Sequence, residues 1–159
     1  MRRLKQNPVG MDRRDGTTIV ETAVILPVFL IFLMALIEFG HVFMCNATLT
    51  AAAKDAARYG AIEGITTAQV IARAKQRVNG AFKSSKATVY VKDAESFEDS
   101  DTNAASVAVS SLPDIELNDA EDRHLFIVRV HVPYNDVAIM PPWWAKNLTL
   151  HGESVMRHE

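Results

Sequence analysis

From Thr22 to Ile37 the chain carries no charged residue, and a glutamate stands at each end of that run, Glu21 and Glu38. Counted from Thr17, the apolar segment is long enough for a tilted crossing of a hydrocarbon layer about 30 Å thick. Only a helix lets a single segment satisfy its own backbone there. A buried core helix is the alternative. Against it, the rest of a 159-residue chain is too short and too polar to wrap an all-round apolar helix of this length. The stretch therefore predicts a membrane helix.

What precedes it sets its orientation. Residues 1–16 carry Arg2, Arg3, Lys5, Arg13 and Arg14 against Asp12 and Asp15. The positive-inside rule keeps this end cytoplasmic and exports everything after Glu38. The segment LIEFGHVFMCN that follows the run lacks the small residues of a secretory cleavage site, so removal of the whole helix is not expected. The other side offers a different cut: a basic leader, Gly16, four uncharged residues, then Glu21. This order resembles a prepilin peptidase site, where the chain is cut after the glycine on the cytoplasmic face and the helix stays in place. A carboxylate in the first turns of a membrane helix costs about 2.5–3.5 kcal/mol on insertion scales and calls for a partner. Cleavage would create an ammonium on Thr17, available to Glu21 of a neighbouring subunit, and would leave Glu21 near the favourable end of the helix dipole. A glutamate that merely snorkels into the headgroups is the plain alternative.

The pattern G16-TTIV-E21-T-A23-VIL-P27-VFLIFLMALI-E38-F-G40, followed by AAAKDAARYGA, resembles the TadE-like family, the minor pseudopilins of tight-adherence (Flp-type) pilus systems. The likeness runs over roughly residues 13–63. Thr22 stands where an aromatic is frequent, and His41 where a basic residue often follows the glycine. The resemblance implies Gly16, Thr17 and Glu21 as the processing site, and Glu21, Pro27, Glu38 and Gly40 as helix-assembly positions. It implies other pilins, the peptidase and the pilus assembly platform as partners. It also implies a bacterial inner-membrane, single-pass protein with its head in the periplasm or at the cell surface. Pro27 removes a backbone donor and should bend the helix, freeing the carbonyl near Ala23.

Past Glu38 the helical period continues through Phe39, Val42 or Phe43, Asn46, Leu49, Ala53, Ala56 and Gly60, with small residues that let another element approach. One long helix is predicted from about Thr18 to Tyr59, capped by Gly60 or Gly64. The domain map that follows is a leader at 1–16, a membrane and stalk helix at 17–63, and an exported head at 64–159. Thr66 and Gln69 form a capping box for a second helix with Val70, Ile71, Ala74, Val78 and Phe82 on one face and a stop at Asn79-Gly80. Arg73, Lys75 and Arg77 read as a solvated face.

Period two then takes over. Ala87–Val91, a shorter Val107/Val109 candidate, Phe126–Val132 and a last segment around Leu148–Glu153 predict an antiparallel sheet of three or four strands on the exported helix, an α+β fold. Pro133-Tyr134-Asn135-Asp136 breaks the clearest strand, and Pro141-Pro142-Trp143-Trp144 forms a connecting loop. Cys45 has no partner for an intrachain disulfide; it reads as a packed thiol or, less simply, as an intermolecular bridge.

Residues 93–122 hold ten acids and no Lys or Arg, a solvated insertion on the plain reading. Asp99, Asp101 and Asn103 are spaced like the start of a calcium loop, but Ala104 replaces its glycine and Ser110 its closing acid. No metal or cofactor is therefore expected. His41, His124, His131, His151 and His158 show no ligand spacing, though His131 and His151 face each other if their strands pair. There is no nucleophile elbow, Walker loop or dinucleotide motif, so an enzyme is not expected. Beyond the leader, 12 basic residues meet 17 acidic ones, which argues against a nucleic-acid face. Two functions remain. The first is a structural pseudopilin. The second is a single-span anchored domain that binds an ion or ligand outside the membrane and never polymerises.

Overall fold

A computed structural model describes residues 13–82, 86–98, 107–140 and 148–159. Helix α1 runs Arg13–Gly60, α2 Thr67–Val78, and three strands follow, β1 Thr88–Asp93, β2 Leu125–Pro133 and β3 Thr149–Arg157. The chain divides into two compact units between Ile37 and Glu38.

In the first unit, Pro27 lies inside α1. The side chains from Thr17 to Ile37 are exposed apart from a half-buried Leu33. This helix is long and apolar enough to cross a membrane, and none of its most apolar window is buried by the protein itself. Among the described residues, little covers this apolar surface.

The second unit is an antiparallel sheet in the order β1-β2-β3, so it has three strands. Phe126, Val128, Val130 and Val132 are all buried and alternate along β2 as its period predicts. They pack with Val89 and Val91 of β1, Leu150 of β3, and Leu49, Ala53, Ala56 and Ala57 of α1. The small residues bring helix and sheet into direct contact. A Cβ added at Gly152 of β3 would lie 2.2 Å from the Thr50 backbone nitrogen and 2.3 Å from the Leu49 carbonyl carbon. One at Gly60 would lie 2.8 Å from Val70 Cγ2.

The capping box of α2 is present: the Thr66 hydroxyl accepts from the Gln69 amide, and Gln69 Oε1 accepts from the Thr66 amide. Val70, Ala74 and Val78 are buried and Asn79 is the C-cap. Gly64 takes the left-handed conformation (φ 78°) that lets the chain turn after α1.

Two expectations need correction. Val107 and Val109 form no strand; a 3-10 turn runs Val109–Ser111, and Val109 packs with Ala94, Leu112 and Ile127 over the outer face of the sheet. The helical face after Glu38 forms as expected at Leu49, Ala53, Ala56 and Gly60 but not at its beginning. Phe39, Phe43 and Asn46 are exposed, while Glu38 and Cys45 are buried in line with Leu49, because the sheet meets α1 along the row that leads into the alanines. Arg73 and Arg77 are exposed, as expected, and both approach Asp55 of α1, Arg73 Nε at 2.8 Å and Arg77 Nε at 3.5 Å. The Asp99–Asn103 and Pro141–Trp144 readings lie outside the described residues.

Candidate functional site

The site predicted from sequence is spread along α1. Gly16 and Thr17 lie inside the helix, which begins at Arg13. Glu21 is exposed in the same unit. Beside it the Thr22 hydroxyl donates to the Thr18 carbonyl at 2.9 Å, a local bond that hides the side chain's polarity. Pro27 is also exposed, and without an amide hydrogen it leaves the Ala23 carbonyl short of its helical donor.

Glu38 and Gly40 belong to the second unit and differ from each other. Gly40 is exposed, and a Cβ added there would meet nothing within 4 Å. The head's own packing therefore does not require a glycine at that position. Glu38 is only 2% exposed. Its Oε1 accepts a hydrogen bond from the Tyr134 hydroxyl, and its Oε2 has no hydrogen-bond partner among the described residues. A buried carboxyl group needs such a donor, since an unsatisfied one costs about 1–3 kcal/mol or more. Burial, and then the bond to Glu38, push the Tyr134 hydroxyl above the usual tyrosine range. Tyr134 thus stays protonated and remains a donor. One and two turns further on, the Cys45 sulfur lies 3.6 Å from His41 Nε2, and the His41 and Tyr134 rings are 6.5 Å apart.

The structure thus groups Glu38, His41, Cys45 and Tyr134 at the start of the second unit. Sequence reasoning missed Tyr134, which it read only as part of a strand breaker. The available signal was the glutamate ending an apolar run, which demanded a donor, with a tyrosine just past the central strand to supply it. The register of β2 and β3 does place His131 opposite His151. Burial, Arg129 and His151 lower the His131 imidazole below its ordinary range.

Residues 16–58 match the family described as TadE-like protein. No curated protein and no solved structure gives a match. The matched stretch opens on Gly16, contains Glu21, Pro27, Glu38 and Gly40, and ends two residues before α1 does. Over residues 16–58 the chain is similar to the TadE-like family.

Proposed function

We propose that this protein is a minor pseudopilin of a tight-adherence pilus or a related secretion system. Residues 1–16 are a cytoplasmic leader, 17–63 a membrane and stalk helix, and 64–159 an exported head with an acidic insertion at about 93–122. Prepilin peptidase cuts after Gly16 and the helix remains in the inner membrane. The new ammonium of Thr17 then pairs with Glu21 of a neighbouring subunit and sets the axial register. Pro27 loosens the helix for close packing, and Gly40 leaves open space beside it.

The observation that supports this most is the TadE-like match itself, which opens on Gly16, includes Glu21 and covers the part of α1 that is long and apolar enough for a membrane. A simple anchor needs neither Gly16 nor Glu21. The test is Glu21→Ala in the native cell. The variant should reach the membrane at the wild-type level while its co-isolation with partner pilins falls at least tenfold. A variant that co-isolates as well as wild type contradicts the proposal.

A further inference from the structure

The two ends of the acidic stretch meet. Asp93 closes β1, Glu95 sits in the 3-10 turn Glu95–Phe97, and His124 immediately precedes β2. His124 Nε2 lies 3.2 Å from Asp93 Oδ1, and His124 Nδ1 lies 3.0 Å from Glu95 Oε1. One donor atom from each of the three residues falls within 4.8 Å of the others.

Charge and hydrogen bonding leave this group incomplete. A protonated imidazole between two carboxylates still leaves a net negative charge, and Asp119 and Glu121 line the same hollow of about 390 Å³. Residues 93–122 contain no Lys or Arg to neutralise it. Of the nearby acids, Asp114 is taken by Lys92 at 2.7 Å and Glu116 by the Thr67 amide at 2.8 Å. His124 Nε2 is shut off from solvent and makes no hydrogen bond among the described residues, despite its closeness to Asp93. The imidazole is about five-sixths buried, with 17% of its side chain exposed. It is held in place from both sides: Arg123, in the left-handed conformation (φ 68°), donates its amide to the His158 carbonyl, and the His158 amide donates to the His124 carbonyl.

We propose that Asp93, Glu95 and His124 bind a divalent transition ion of the zinc class. Two ligands each about 2.1 Å from one ion lie roughly 3.0–3.4 Å apart. His124 gives an ion one nitrogen, and Asp93 Oδ1 already stands 3.2 Å from Nε2. With one donor atom from each residue within 4.8 Å of the others, a small side-chain movement of Glu95 closes the set. One nitrogen and two carboxylates suit Zn²⁺ or its neighbours, whereas Ca²⁺ takes oxygen ligands alone. The ion would supply the missing positive charge and clasp the neck of the excursion between Glu95 and His124. No ligand motif marks the site in the sequence, because its donors come from opposite ends of that excursion. The inference stands apart from pilus assembly: either outcome for Glu21 leaves it intact.

The test uses the full chain in detergent micelles, titrated calorimetrically with Zn²⁺ alone. One equivalent should bind. Glu95→Gln and His124→Gln should each weaken binding at least tenfold, His131→Gln should leave it unchanged, and Ca²⁺ should bind at least a hundredfold more weakly. Absence of stoichiometric binding, an unaltered affinity in His124→Gln, or Ca²⁺ binding as tight as Zn²⁺ overturns the proposal. Should a variant fail to fold, Co²⁺ added to the wild-type chain gives an independent readout. Paramagnetic broadening must centre on Asp93, Glu95 and His124, and broadening centred elsewhere overturns the site.

Discussion

The Tyr134 hydroxyl donates a hydrogen bond to the Glu38 carboxyl group, joining the turn after β2 to the helix 96 positions earlier in the chain. Tyr134 is fully buried and Glu38 nearly so, so each satisfies a polar group that water cannot reach. Tyr134→Phe keeps the ring and removes the donor. It should destabilise the head by about 1–3 kcal/mol in urea unfolding of the full chain in micelles, because the carboxyl group is left without its hydrogen bond. A variant as stable as wild type would show that the pair contributes nothing.

The same residue predicts an alkaline effect. In the unfolded chain a tyrosine ionises near pH 10, while in the fold burial and Glu38 hold Tyr134 protonated to higher pH. The unfolded state therefore binds fewer protons than the folded one above about pH 10, and stability falls as pH rises. Below that, this group contributes no slope. The alkaline fall should shrink in Tyr134→Phe, read as unfolding midpoints at pH 9 and above.

Acid acts through His131. Its imidazole is held below the ordinary histidine range by burial, by Arg129 and by His151 on the paired strand. On acidification the unfolded chain takes up its proton first, near pH 6.5, so stability declines from about pH 7 downward. His131→Gln should flatten that decline. His151→Gln should flatten it less, since burial is the larger cause of the shift. An unchanged acid slope in both variants contradicts the assignment.

Gly152 is where β3 meets the backbone of α1. An added methyl group would collide with main-chain atoms of Leu49 and Thr50, which cannot rotate away as a side chain can. Gly152→Ala should therefore cost about 3 kcal/mol or more. Gly80→Ala, whose nearest new contact lies at 3.6 Å, serves as the tolerated control. Equal midpoints for the two variants would refute the close approach.

Much of this was legible in the residues. The uncharged run up to Ile37, the capping box at Thr66 and the alternation from Phe126 to Val132 each follow one local period, and each formed as expected. What failed depended on partners distant in sequence. Phe39 and Phe43 fit a helical face as well as Cys45 does; only the position of the sheet decides which row is buried. Val109 has the alternation of a strand but finds its cover in Ile127 and Leu112 instead of in a ladder. Tyr134 gave no periodic signal, since its role rests on one donor meeting Glu38 across the fold.

The central claim is that the part of α1 from Thr17 onward is a processed pseudopilin segment. The most direct measurement is the intact mass and N-terminal residue of the protein recovered from its own cell membranes. A chain starting at Thr17, and one starting at Met1 when the peptidase is deleted, is the predicted result. A chain that retains residues 1–16 with the peptidase present would contradict the account, leaving Glu21 an ordinary interfacial residue.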